Sequence, residues 1–213
     1  FLAVALAVCL WAYLKNRDYL RSDNQLDAIV SRESSFLFNN LILLVACVAV
    51  LSGTLFPVFS EWVTGDKISV GAPFFNRVNI PIGLFLLFLT GVGPLLAWRR
   101  TSLESLRRNF GWPLLGGVIV GVIAWPLGFN NFYACLSLIL SVFVFFTILS
   151  EFLRGAFVIR ARTGANLLSS VAQLTMRNTR RYGGYVVHFG MVLIFVGLAG
   201  AAFNRDQEME MVP

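Results

Sequence analysis

GGYVVHFGMVLIFVGLAGAAF, residues Gly183 to Phe203, carries no formal charge and contains the single histidine of the chain, His188. A helix rises about 1.5 Å per residue and the hydrocarbon of a bilayer is about 30 Å thick, so a run of roughly 17–25 apolar residues is a candidate span. This stretch is long enough. Working outward from it, five more segments qualify or nearly do: Phe132 to Phe152, Trp112 to Gly128, Ile80 to Trp98, Phe36 to Phe59 and Phe1 to Leu14. Together they hold one formal charge, Glu151, next to a segment end. A closed barrel would instead show shorter strands of alternating polarity, and that period is absent. The expected fold is therefore an all-α membrane protein, a polytopic bundle of about six transmembrane helices forming one region over residues 1–213.

Composition agrees. The 213 residues are 57% hydrophobic and 13% charged, against about 25% charged in soluble domains, which excludes the ordinary water-soluble and disordered classes. The formal charge of +6 and pI near 9.7 do not make a nucleic-acid binder, because the cations are divided among apolar runs rather than gathered on one face. Cys9, Cys47 and Cys135 each sit alone in a hydrophobic run, without a CxxC spacing, and are expected to pack as small apolar groups. The opening FLAVALAVCLWAYL lacks an initiating Met and a basic lead-in, so it is expected to be a cut helix rather than a signal peptide.

The cations set the sidedness, since cytoplasmic loops retain Lys and Arg. One set of loops holds Lys15, Arg17, Arg21 and Arg32, then Arg99, Arg100, Arg107 and Arg108, then Arg154, Arg160, Arg162, Arg177, Arg180 and Arg181; the other holds Lys67, Arg77 and Arg205. The first set is expected in the cytoplasm and the tail, with Asp206, Glu208 and Glu210, outside. Pro81 and Pro113 are expected in the first turns of their segments, and Pro57, Pro94 and Pro126 near segment ends. The five tryptophans, Trp11, Trp62, Trp98, Trp112 and Trp125, mark the headgroup layers. Ser34 or Ser35 is expected to cap the second segment. Asn166 to Thr179 predicts an interfacial amphipathic helix, with Leu167, Leu168, Val171 and Leu174 opposite Ser169, Ser170, Gln173 and Arg177. Gly117 and Gly121 form a GxxxG that predicts a close helix contact, and Ser60 to Asn79 is expected to be an ordered outward connection.

Chemistry concentrates at His188. It lies five residues, roughly 8 Å, inside the span, and an ionisable group at that depth faces the bundle interior, where it pairs, relays a proton or binds a ligand. Imidazole is a ligand for haem iron. Side chains lean toward the helix N-terminus, so the ring overhangs Gly184, whose missing side chain leaves a notch for a flat macrocycle. Met191 is on the same face and cannot be the opposite axial ligand, so six-coordinate iron needs a second histidine from elsewhere. Arg181, two turns below His188 at the headgroup level, could meet a haem propionate or serve simply as an anchor. A neutral imidazole bridging helices stays open as the plainer reading, and Glu151 is expected to pair with Arg154. No phosphate loop, HExxH, GxSxG or buried carboxylate pair is present, nor the midplane carboxylates or lysines of a proton-driven transporter.

The run LTMRNTRRYGGYVVHFGMVLIFVGLAG, Leu174 to Gly200, resembles the segment of CcmF-type cytochrome c biogenesis proteins that carries a transmembrane haem-ligating histidine. Ser31 to Glu61, the loop GDKISVGAPFFNRVNIP from Gly65 to Pro81, and LTGVGPLLAWRR from Leu89 to Arg100 are similar to the same family in the same order. The resemblance implies a component of the system that attaches haem to apocytochrome c outside the cytoplasmic (inner) membrane of bacteria. It implies a haem chaperone as donor, thiol-handling maturation subunits as partners, haem lyase activity in the full-length protein, and a b-type haem held between two transmembrane histidines. By position in the motif, one of these corresponds to His188, with Gly184 and Arg181 beside it. The family's tryptophan-rich region, its external histidines, its other transmembrane histidine and its large outward domain do not occur in these residues, so a C-terminal-half fragment lacking the lyase site is expected. Two rivals remain: a structural or transport bundle whose histidine only bridges helices, and a homodimeric cytochrome b made by two copies of His188.

Overall fold

The computed structural model describes residues 1–20, 29–96, 101–129 and 131–201. Within these the chain is all helical: α1 (Leu2–Lys15), α2 (Arg32–Thr64), α3 (Ala72–Val92) continued by a 3-10 turn (Gly93–Leu95), α4 (Leu103–Ala124), α5 (Phe132–Thr163), α6 (Leu167–Arg177) and α7 (Thr179–Ala201). Four stretches are long and apolar enough to cross a membrane: α2, α3 with its 3-10 turn, α5 and α7. α1 is a shorter apolar helix, and α4 carries Glu104, Arg107 and Arg108 in its first turns.

The helices outrun the apolar segments that reveal them, because hydropathy marks where a chain enters lipid and capping marks where a helix starts. α2 begins at Arg32, and its N-cap is Ser31 rather than Ser34 or Ser35: the Ser31 hydroxyl accepts the Ser34 N–H at 3.1 Å. It runs through Pro57 to Gly65, which takes a left-handed φ of 78° at the C-cap. The expected connection Ser60 to Asn79 is thus mostly helix, with residues 65–71 left between α2 and α3. Pro81 and Pro113 are likewise helix-interior rather than first-turn residues, since α3 starts at Ala72 and α4 at Leu103; the proline in the first turn of α3 is Pro73. α5 continues past Phe152 until Gly164, whose φ of 69° ends it. Trp98, Arg21, Arg99, Arg100 and the acidic tail lie outside the described residues.

α5 is the hub. α3, α4, α6 and α7 all pack on it, and α2 joins through α3 and its 3-10 turn. The core is Leu87, Phe143, Val144, Ile148, Ile159, Leu174, Tyr182, Tyr185 and Val192, with Phe88 stacked on Phe143 at a 6.3 Å centroid distance and 19° between planes. The glycine pair acts as expected: a Cβ at Gly117 would stand 2.8 Å from the Ile139 carbonyl oxygen and one at Gly121 2.6 Å from Ile139 Cδ1, so α4 approaches α5 more closely than any side chain allows.

α6 is amphipathic, but its inward face is rotated from the expected one. Ser170 is fully buried and Leu168 is 84% exposed. At 100° per residue the positions 167, 170, 171 and 174 share a face, and the Ser170 hydroxyl is satisfied by donating to the Asn166 carbonyl at 3.0 Å. Cys135 is buried as a small apolar group, whereas Cys9 and Cys47 lie on exposed faces of apolar helices.

Candidate functional site

One turn after another of α7 faces the same way. Positions 181, 184, 185 and 188 follow the i, i+3, i+4, i+7 rule, and all four line a cleft of about 330 Å³. Its remaining walls come from α2 (Arg32, Ser35, Phe36, Asn39) and from the end of α3 (Leu89, Thr90, Gly93, Pro94). The volume lies at the lower end of the roughly 300–1,000 Å³ usual for small-molecule sites. The close approach of the 3-10 turn to α2 makes the floor: a Cβ at Gly93 would stand 2.7 Å from Ser35 Oγ.

The three residues nominated from the sequence are thus brought together. His188 is partly buried and, among the described residues, its imidazole makes no hydrogen bond. A Cβ added at Gly184 would meet nothing within 4 Å, so the space beside this position is open. Met191 does not line the cleft. Arg181 reaches from the rim to α5, donating to Glu151 Oε2 at 2.5 Å. Glu151 therefore has Arg181 as its nearer partner, with Arg154 at 3.8 Å. Arg154 instead donates to Asn109 Oδ1 at 2.7 Å and so ties α5 to α4. The Arg181 side chain is 57% exposed and that of Glu151 11%; the pair fixes the guanidinium at the mouth of the cleft.

Two lining residues were not singled out from the sequence. Arg32, read there as a loop anchor, donates from Nη2 to the Pro94 carbonyl at 2.6 Å. Among the described residues its Nε–H is buried without a hydrogen-bond partner, as is the hydroxyl of Tyr185, a residue only 5% exposed. Each such orphan costs about 1–3 kcal/mol. The helical spacing could have found Tyr185, one turn before His188; it could not have found Arg32, whose helix starts earlier than the apolar run. Among the described residues no group of three or more His, Cys, Asp or Glu is placed to hold a metal ion.

The cleft thus gathers a histidine, a rim arginine and two orphaned donors, and comparison with known proteins gives the family. The chain is 35% identical over 190 residues to the cytochrome c-type biogenesis protein CycK of Rhizobium meliloti, covering 87% of this chain and 27% of that protein. It is 30% identical over 193 residues to CcmF of Pseudomonas fluorescens, covering 86% and 27%. It is 28% identical over 226 residues to CcmF of Haemophilus influenzae, covering 99% and 31%. No family model matches, and no solved structure matches significantly. The chain spans between a quarter and a third of the length of these curated relatives. Over that span, four candidate membrane helices included, this chain belongs to the CcmF/CycK family of bacterial cytochrome c-type biogenesis proteins.

Proposed function

We propose that this chain is the C-terminal-half segment of a larger cytochrome c maturation protein, and that His188 supplies one axial ligand of a transmembrane b-type haem. The observation that carries the reading is the His188 imidazole itself, which stands in the wall of the cleft with no hydrogen-bond partner among the described residues and an open notch beneath it. The alternative of a helix-bridging histidine needs a hydrogen bond that the described residues do not supply.

When bound, haem supplies one-electron chemistry at a potential set by its axial ligands and the surrounding dielectric. The residues of this chain bind and orient it. His188 offers a neutral imidazole nitrogen, Gly184 leaves the approach to the ring clear, and Arg181, steadied by Glu151, offers positive charge at the headgroup level. The sequence contains one histidine, so a second imidazole, if the bound group took one, would come from outside this chain.

In this reading α1 and α4 cross the bilayer as well, giving six spans, and α6 lies at the cytoplasmic surface. The arginine-rich loops are cytoplasmic and the tail after α7 faces outward. The complete protein receives haem from a haem chaperone and, with thiol-handling maturation subunits, attaches it to apocytochrome c outside the bacterial inner membrane, acting as haem lyase at a site beyond these residues.

The test is His188→Ala in the full-length protein, purified and examined by reduced-minus-oxidised absorption. The proposal expects the b-type haem signal to fall at least tenfold with protein yield unchanged. An undiminished signal removes it.

A further inference from the structure

The cleft holds more donor capacity than the ligation of iron requires. Tyr185 is almost wholly buried, yet among the described residues its hydroxyl has no partner within good hydrogen-bond geometry; the Arg181 guanidinium lies beside it but is held on Glu151. Across the cleft, Arg32 is anchored through Nη2 on the Pro94 carbonyl while its Nε–H is left unpaired. Both residues line the cleft that contains His188. Sealed orphans of this kind are rare in native interiors, where buried polar groups almost always find a partner. Two in one cleft, on facing helices, mark a place prepared for an acceptor.

Charge narrows the choice of acceptor. The Arg181 guanidinium is met by Glu151, which Arg154 also approaches. No carboxylate pairs with Arg32 among the described residues. Within those residues the cleft therefore holds one cation without a counter-ion, beside a hydroxyl donor. A carboxylate satisfies both, accepting from the guanidinium and from the phenol in charge-assisted bonds. A neutral carbonyl would satisfy the donors and leave the charge uncompensated. Both atoms are sealed, so an acceptor meets them only after a side-chain turn at the cleft wall, the usual scale of rearrangement on binding.

We infer that Arg32 and Tyr185 form a carboxylate-binding corner that receives an acidic arm of the ligand whose iron His188 holds. The inference rests on the haem reading and extends it: the macrocycle is held by an acid group inside the cleft on α2 and α7, and Arg181 at the rim is not its sole anchor. Arg32 and Tyr185 are positioning residues, since neither touches the iron.

The experiment compares haem with its dimethyl ester, in which both acid groups are blocked. The full-length protein is stripped of haem and titrated with each form, as wild type, Arg32→Gln, Tyr185→Phe and His188→Ala. Hydrogen bonds to a charged group contribute about 1.5–3 kcal/mol, so wild type should prefer the free acid by tenfold or more. Tyr185→Phe and Arg32→Gln should each bind the ester as wild type does and lose most of the preference for the acid. Because the ester reports the integrity of the pocket in each variant, simple misfolding shows as lost ester binding, and Tyr185→Phe, which keeps the ring in the core, then decides the matter. A full acid preference in Tyr185→Phe and in a folded Arg32→Gln overturns the inference. His188→Ala should lose both ligands; if it binds both like wild type, the haem reading itself fails, whatever the other variants do.

Discussion

His188 and Gly184 make a pair whose functions separate cleanly. A side chain at Gly184 enters open space, so Gly184→Val should leave helix packing intact while filling the notch below the imidazole. The expected outcome is an unchanged melting temperature with haem content reduced by about tenfold, measured by pyridine haemochrome against protein; full haem content would show that the notch is not used. Glu151 gives a contrasting case. Its side chain is 11% exposed and its partner Arg181 57%, so Glu151→Gln should cost up to about 3 kcal/mol of stability and should free the rim guanidinium. The contribution of α7 to the cleft was legible in the sequence, because the spacing from Arg181 through Gly184 to His188 fixes one helix face by periodicity alone. The contribution of α2 was not. Arg32 reads as a loop anchor when the helix is drawn from hydropathy, and its place in the cleft depends on Ser31 capping the helix ahead of the apolar run.

At the scale of the helices, small residues govern which elements touch. Gly117 lies against a backbone carbonyl of α5, which cannot move aside as a flexible side chain would. Gly117→Ala should therefore destabilise the α4–α5 contact by about 1–3 kcal/mol. Gly197→Ala on α7, where nothing lies within 4 Å, should be neutral or stabilising by up to about 1 kcal/mol. Thermal unfolding in detergent compares the two, and equal effects would argue against close packing at Gly117. The GxxxG was legible as a contact, and so was the helical nature of every apolar segment. The ends were not, because α2, α4 and α5 extend through polar residues to a capping side chain or a left-handed glycine. Nor was the rotation of α6, where a serine bonded to its own helix takes an inward position that hydrophobicity alone gives to Leu168.

The whole molecule is a bundle around α5 with its cleft at the end where α2 starts, α3 finishes and α7 starts. The arginines Arg32 and Arg181 lie at that end, and the orientation proposed above, by the positive-inside rule, puts it in the cytoplasm. Impermeant thiol reagents test this in a background lacking Cys9, Cys47 and Cys135. Lys67→Cys, between α2 and α3, should react in intact cells, and Arg162→Cys, at the far end of α5, only after permeabilisation; the reverse pattern would invert the topology.

Direct coordination of iron by His188 is the claim on which the rest depends, and exchanging the ligand probes it more closely than deleting it. Methionine in place of an axial imidazole raises the potential of a haem. In the full-length protein, His188→Met should keep a bound haem whose midpoint potential, measured by spectroelectrochemical titration, lies clearly above that of wild type. A haem retained at the wild-type potential would mean that His188 is not bonded to the iron.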